Sequence, residues 1–190
     1  MMTKMKENRF TTRDMTILPL FTVLTAVGAF IKIPIGAVPV SLQTVFVLVS
    51  ALLLGKKAAI AQGLYVLLGL LGLPIFTGGG GIGYIFTPTF GYLLGFIAAA
   101  YVVGSLRDWT KKKDLLSLFL FSVLGVLVIY TLGVTHLYLF SHLIAGGSKL
   151  PLAVAMRAGA LVFLPMDLLW SFFGAGLSAR LLKNPQLRLS

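Results

Sequence analysis

Asp167 stands out first among the residues whose chemistry could matter. Of the five acids, Glu7, Asp14, Asp108 and Asp114 sit at the ends of apolar runs, whereas Asp167 lies inside one, FLPMDLLW from Phe163 to Trp170. A carboxylate at membrane depth is expensive to bury and marks function by default. Two residues before it, Pro165 lacks an N–H and disrupts the helix bond to the carbonyl of Leu161, so the acid stands beside a loosened turn. Asp167 either accepts hydrogen bonds from a ligand or pairs with another helix and only holds the bundle together. Arg157 lies ten residues earlier in the same run. In a regular helix that is about 15 Å nearer the outer side and about 80° around the axis. The two would hold a ligand with a donor-bearing head lodged deep and an anionic tail near the mouth. Alone, Arg157 would instead snorkel to headgroups.

Gln43 and Thr44 open another apolar run and would face the same outer space with an amide and a hydroxyl, or else hydrogen-bond between helices. The stretch from Leu73 to Phe90 reads LPIFTGGGGIGYIFTPTF, bounded by Pro74 and Pro88. It is irregular yet apolar, and irregular backbone near membrane depth is tolerated where it is buried in protein or lines a cavity. Gly79 and Gly80 would let the backbone approach a ligand closely and Tyr84 would offer a stacking face, the whole forming a pliable lid. The first outer loop, IPIGAVPVS from Ile33 to Ser41, carries Pro34, Gly36 and Pro39 and is equally unsuited to a helix.

Other chemistries are disfavoured. Gly78 to Gly83 satisfies the dinucleotide pattern G-x-G-x-x-G, but it follows an apolar helix rather than a strand and runs into a proline-bounded loop. No Lys-Ser/Thr follows the last glycine, so there is no ATPase motif of its own. His136 and His142 are six residues apart, off a common helix face, and no acid or cysteine accompanies them. With no cysteine in the chain, neither disulfides nor thiolate metal sites arise. No nucleophile–base set appears. The expectation is a protein that is not an enzyme, with no catalytic residues, no metal and no cofactor.

The elements that must position these residues are membrane spans. The chain has 190 residues, 58% of them hydrophobic and 11% charged, with a mean hydropathy of +0.98. A soluble domain of this size cannot hide so much apolar surface. Six spans are drawn, roughly Met15–Ile33, Leu42–Leu54, Ala58–Leu73, Phe90–Leu106, Leu115–Phe140 and Leu152–Leu182. The second is short for a straight crossing, so it starts earlier, near Val38, or is sheltered by neighbours. Five spans would remain if the second and third made a re-entrant hairpin; Lys56 and Lys57 between them argue for six. Thirteen of the sixteen Lys and Arg residues fall on one side of this arrangement, leaving Lys32, Lys149 and Arg157 for the other. The positive-inside rule then puts both termini in the cytoplasm and the glycine run outside. The basic N-terminal stretch leads into a retained first helix rather than a signal peptide. The net charge of +11 suits anionic headgroups of the lipid bilayer rather than nucleic acid. The expected fold is an all-α membrane protein, residues 1–190 forming a single integral domain of six transmembrane helices in a compact bundle. Small-residue pairs such as Gly91-xxx-Gly95, Thr22-xxx-Ala26, Thr25-xxx-Ala29 and Gly174-xxx-Ser178 would permit close helix packing. Those of the first helix could also present a smooth face to another membrane protein.

Several stretches resemble one family. They are Ala37 to Thr44 (AVPVSLQT), Leu52 to Gly55 (LLLG), Tyr65 to Gly81 (YVLLGLLGLPIFTGGGG), Thr87 to Phe96 (TPTFGYLLGF) and Leu164-Pro165-Met166-Asp167. On these the chain resembles the BioY family, the substrate-binding (S) components of energy-coupling factor biotin transporters. The resemblance implies a six-helix bundle in the cell membrane, a biotin pocket near the outer face, and a complex with a transmembrane T component and two cytoplasmic ATPases. It implies biotin as transported ligand, and the residues fit biotin's chemistry: Asp167 would accept from the ureido N–H groups, Gln43 or Thr44 serve the ureido oxygen, Tyr84 and glycine backbone lie against the rings, and Arg157 reach the valerate. Two departures stand out. The family's last-helix Asp-x-x-Lys is here Asp167-Leu168-Leu169-Trp170, so Trp170 must replace the lysine by packing or Arg157 must take over its charge. The first-helix Ala-xxx-Ala used for docking the T component is here Ala26-xxx-Phe30, with Thr22 one turn before. An S component for another vitamin, or a proton-coupled carrier using Asp167 as its relay, are the rival readings.

Overall fold

The computed structural model describes residues 11–33, 38–110, 113–144 and 149–184. Helix α1 (Thr12–Phe30) begins in a capping box: Thr11 Oγ1 accepts from the Asp14 N–H at 3.2 Å, and the Asp14 carboxylate accepts from the Thr11 N–H at 2.8 Å. The same carboxylate holds the Lys57 ammonium at 2.6 Å, which ties the start of α1 to the turn after α2. At its far end α1 stops short of the expected Ile33, because Lys32–Ile33 (β1) pairs antiparallel with Val40–Ser41 (β2). Much of the proline-containing loop between the strands lies outside the described residues.

Helices α2 (Gln43–Leu54) and α3 (Ala58–Leu70) are short, α2 spanning about 18 Å at the helical rise. It does not start near Val38; it is sheltered instead, with Val47, Leu48, Ala51 and Leu52 buried among its neighbours. The two helices run antiparallel. Gln43 reaches Tyr65 across them and Gln62 reaches Ser50, and the reversal occurs at Gly55, whose φ of +63° suits glycine. Gly104 of α4 (Phe90–Trp109) packs directly on that reversal, where a β-carbon would stand 2.3 Å from the Gly55 carbonyl. Asp108 accepts from the Lys56 N–H at 3.0 Å, and Arg107 donates to the Leu53 carbonyl at 3.0 Å. The reversal is thus held by the Lys56 N–H on Asp108 and by Lys57 on Asp14.

Helix α5 (Leu115–Leu143) packs along α4 through Gly91 and Gly95, whose missing side chains admit His136, Leu132 and Ile129. The small residues of α1 turn inward: Thr22, Thr25, Ala26 and Ala29 are buried, and Thr22 donates to the Ala61 carbonyl of α3 at 2.9 Å. The face α1 turns outward carries Met15, Leu20, Val23 and Val27. A smooth docking face on the small residues is therefore not what the fold builds; packing within the bundle has used them.

The last apolar run is not one regular helix. It comprises α6 (Leu152–Met156), a π turn (Arg157–Leu161) and α7 (Leu164–Lys183), with turns at Val162 and Phe163. Pro165 falls in the opening turn of α7, where its missing N–H leaves nothing unsatisfied. The proline starts a helix rather than loosening one. Among the described residues, five helical stretches are long and apolar enough to cross a membrane, α2 with α3 counted as one and α6 with α7 as another.

Candidate binding site

Asp167 lies in the first turn of α7, where the helix N-terminus favours negative charge. Its side chain is buried, and Tyr130 of α5 donates to its Oδ2 at 2.6 Å. A short hydroxyl-to-carboxylate bond of this kind is strong in a low-dielectric interior and fixes the carboxylate's orientation. Asp167 thus pairs with another helix, and it also faces a cavity.

The cavity is framed by the first turns of α2 and α4, the middle of α5, the start of α7 and two loops. Its walls include Ser41, Gln43, Thr44, Tyr84, Tyr92 and Asp167. About 50 Å³ is open, room for a few water molecules. Gln43 is held at both ends of its amide. It accepts from Ser41 Oγ at 3.1 Å and donates to Tyr65 Oη at 2.7 Å, and Tyr65 passes the chain on to the Ile75 carbonyl at 3.0 Å. One amide N–H remains, since the group carries two. Thr44 is buried beside it. Tyr84 packs its ring against Phe76 at 4.6 Å, and its hydroxyl meets Thr77 at 3.1 Å and Thr89 at 3.0 Å. Tyr92 donates to the Gly159 carbonyl at 2.7 Å, linking the cavity wall to the π turn. The Lys32 ammonium bonds the Thr77 carbonyl and so joins the strand pair to the glycine loop across the rim.

Four of the residues singled out in the sequence therefore meet at one place: Asp167, Gln43, Thr44 and Tyr84. Three do not. Arg157 is exposed and absent from the cavity walls; the π turn and the break at Val162–Phe163 undo the angle and rise that a regular helix would give. Gly79 and Gly80 are absent from the walls too. Gly79 takes φ +118° and Gly81 +96°, and the Gly81 N–H reaches the Gly69 carbonyl at 2.7 Å. Gly80 packs so tightly on the Leu73 carbonyl that a β-carbon would lie 2.1 Å from it. The glycine tract folds down onto the end of α3 and aims Thr77 and Tyr84 at the cavity. Trp170 is half-buried, packs against Phe173 and does not line the cavity, so it does not stand in for a lysine there. His136 anchors the same loop, its Nε2 lying 3.0 Å from the Thr87 carbonyl. Among the described residues, no three His, Cys, Asp or Glu side chains cluster as metal ligands.

Tyr130, Tyr92, Thr77 and Thr89 were missed in the sequence. Tyr130 had a readable signal, a phenol within an apolar run whose hydroxyl needs a partner when buried. The threonines had none beyond their loop.

A family model described as the BioY family matches residues 2–186. The biotin transporter BioY of Thermotoga maritima is 41% identical over 167 residues, covering 86% of this chain and 92% of that protein. A probable biotin transporter BioY of Lysinibacillus sphaericus is 44% identical over 128 residues, which span 67% of this chain and 65% of that relative's length. Among solved structures, the S-component for biotin from an ECF-type ABC transporter matches with a TM-score of 0.82 and 24% identity, over 96% of this chain and all of that one. At that identity the likeness concerns the fold.

Proposed function

The chain belongs to the BioY family, and on that premise we propose that it binds biotin and serves its uptake as the substrate-specific component of an ECF-type transporter. The observation that carries the reading is a buried carboxylate, braced by Tyr130, facing a cavity that also holds an amide N–H and hydroxyls. Biotin's ureido ring has two N–H donors and one carbonyl. Asp167 accepts from one of the donors, while the free N–H of Gln43 serves the carbonyl, with Thr44 beside it. Tyr84, Tyr92 and Phe96 cover the fused rings. The valerate runs toward the rim, where Lys32 supplies the positive charge; Arg157, Gly79 and Gly80 take no part. With so little open space between the walls, the two loops joined by Lys32 and Thr77 must part to admit the ligand.

In the membrane the chain crosses six times with both termini cytoplasmic. The reading is supported by the antiparallel run of α2 and α3 and by the concentration of basic residues at the end where they reverse. The cavity then opens outward. With no ATP-hydrolysing motif of its own, the chain works with a transmembrane T component and two cytoplasmic ATPases.

Calorimetric titration of the purified chain with biotin, thiamine, riboflavin and pantothenate tests the specificity. Biotin alone is expected to bind tightly; preference for another of the four overturns the reading. Two substitutions probe the walls. Tyr130→Phe removes the brace on Asp167 and is expected to weaken biotin about tenfold, the worth of one hydrogen bond to a charged group. Unchanged affinity would remove Tyr130 from the site. Lys32→Met is expected to weaken biotin by up to about fivefold, in keeping with an exposed charge pair, and to leave biotin amide unaffected. Equal losses for both ligands would put Lys32 in a purely structural role.

A further inference from the structure

Arg157 needs an account, because a guanidinium within the last span that serves no vitamin ought to have a partner. It is exposed and has none among the described residues. Beside it runs an apolar groove of about 400 Å³ between α5 and the α6–π–α7 segment, larger than the cavity at Asp167. That size falls within the range of roughly 300–1,000 Å³ typical of ligand pockets. Its walls include Leu127, Val134, Leu152, Met156, Leu161 and Leu164, and most of these side chains are exposed on the outside of the bundle. Arg157 is not itself a wall residue, but in the chain it directly follows Met156 and precedes Ala160 and Leu161, which are, so the cation flanks the groove toward its cavity end.

We propose that this groove is a binding site for an anionic phospholipid of the leaflet at the cavity end, one acyl chain lying in the groove and the phosphate on Arg157. Apolar walls and a flanking cation match the two halves of such a molecule. The guanidinium is suited to bidentate phosphate bonding, and its aliphatic stem lies along apolar surface while the head reaches the headgroup level. Ala160 contributes only a methyl group to the wall, which leaves room for a chain there. Tyr130 borders both this groove and the vitamin cavity, so an occupied groove stiffens the helix that braces Asp167. The placement in the outer leaflet rests on the topology proposed above; the site itself does not rest on the vitamin reading.

The test is native mass spectrometry of the full chain, released from detergent with added phosphatidylglycerol, with phosphatidylcholine and inorganic phosphate as parallel arms and biotin titrated separately. The wild type is expected to keep one phosphatidylglycerol in preference to phosphatidylcholine and to be insensitive to inorganic phosphate. Arg157→Gln is expected to lower that occupancy at least fivefold and Arg157→Lys to restore part of it. Ala160→Phe should fill the groove and abolish retention. Biotin should bind Arg157→Gln normally, which separates this site from the vitamin cavity. Retention at the wild-type level by Arg157→Gln, or by Ala160→Phe, overturns the proposal. So does displacement by inorganic phosphate alone, or a second copy of the chain occupying the groove as a stable dimer.

Discussion

Asp167→Asn is expected to weaken biotin binding about 10- to 100-fold, measured by calorimetry on the purified protein. The carboxylate has two oxygens. One accepts from Tyr130 at 2.6 Å, which leaves the other for a ligand N–H. An asparagine can satisfy Tyr130 with its carbonyl, but its amide nitrogen then meets the ligand's N–H groups, donor against donor. The loss includes a charge-assisted bond worth about 1.5–3 kcal/mol, and each 1.4 kcal/mol is about a factor of ten in affinity. Because asparagine matches the size of aspartate, the fold should survive and the melting temperature in detergent should change little. Undiminished affinity would contradict the role given to this residue.

Gly104→Val is expected to damage the fold strongly without touching the cavity. The residue has no room for a side chain: its β-carbon would stand 2.3 Å from the Gly55 carbonyl carbon and oxygen and 2.5 Å from the Lys56 nitrogen. These are backbone atoms of the reversal between α2 and α3, and they cannot swing aside as a side chain would. Overpacking of this kind costs about 1–3 kcal/mol, enough to lower the melting temperature by about 5 °C. Gly176→Ala is the control, since its β-carbon would meet only the Leu115 side chain at 3.9 Å. A Gly104→Val protein as stable as Gly176→Ala would mean that the reversal is not held against α4 as described.

Much of the fold was legible because the bilayer leaves few choices. Apolar runs separated by basic clusters give helices and their order, and the positions of α1 to α5 agree with that reading to within a few residues. Helix ends were less legible where a partner decided them, as at Ile33, which leaves α1 to pair with Val40. Pro165 was read as an interruption because a helix unbroken from Leu152 would need its N–H for the bond to the Leu161 carbonyl; the π turn before it had already ended the regular helix. That same turn explains why Arg157 was assigned to the cavity: its position came from the rise and rotation of an unbroken helix. Gly79 and Gly80 were taken for a ligand surface, whereas Gly79 supplies a positive φ and Gly80 a close approach to the Leu73 carbonyl just past the end of α3. For Asp167, Gln43, Thr44 and Tyr84 the signal was chemical, polar atoms in an apolar setting that require partners. Such a signal marks the residue without giving its neighbours, which is why Tyr130 was missed.

The most direct measurement is a structure of this chain with biotin bound. The expected density has the ureido ring between Asp167 and Gln43, one of its nitrogens within about 3 Å of the free carboxylate oxygen, and the valerate pointing to the rim beside Lys32 and Thr77. Biotin found with its ureido ring away from Asp167, or outside the space between α2, α4, α5 and α7, would contradict the assignment of the site.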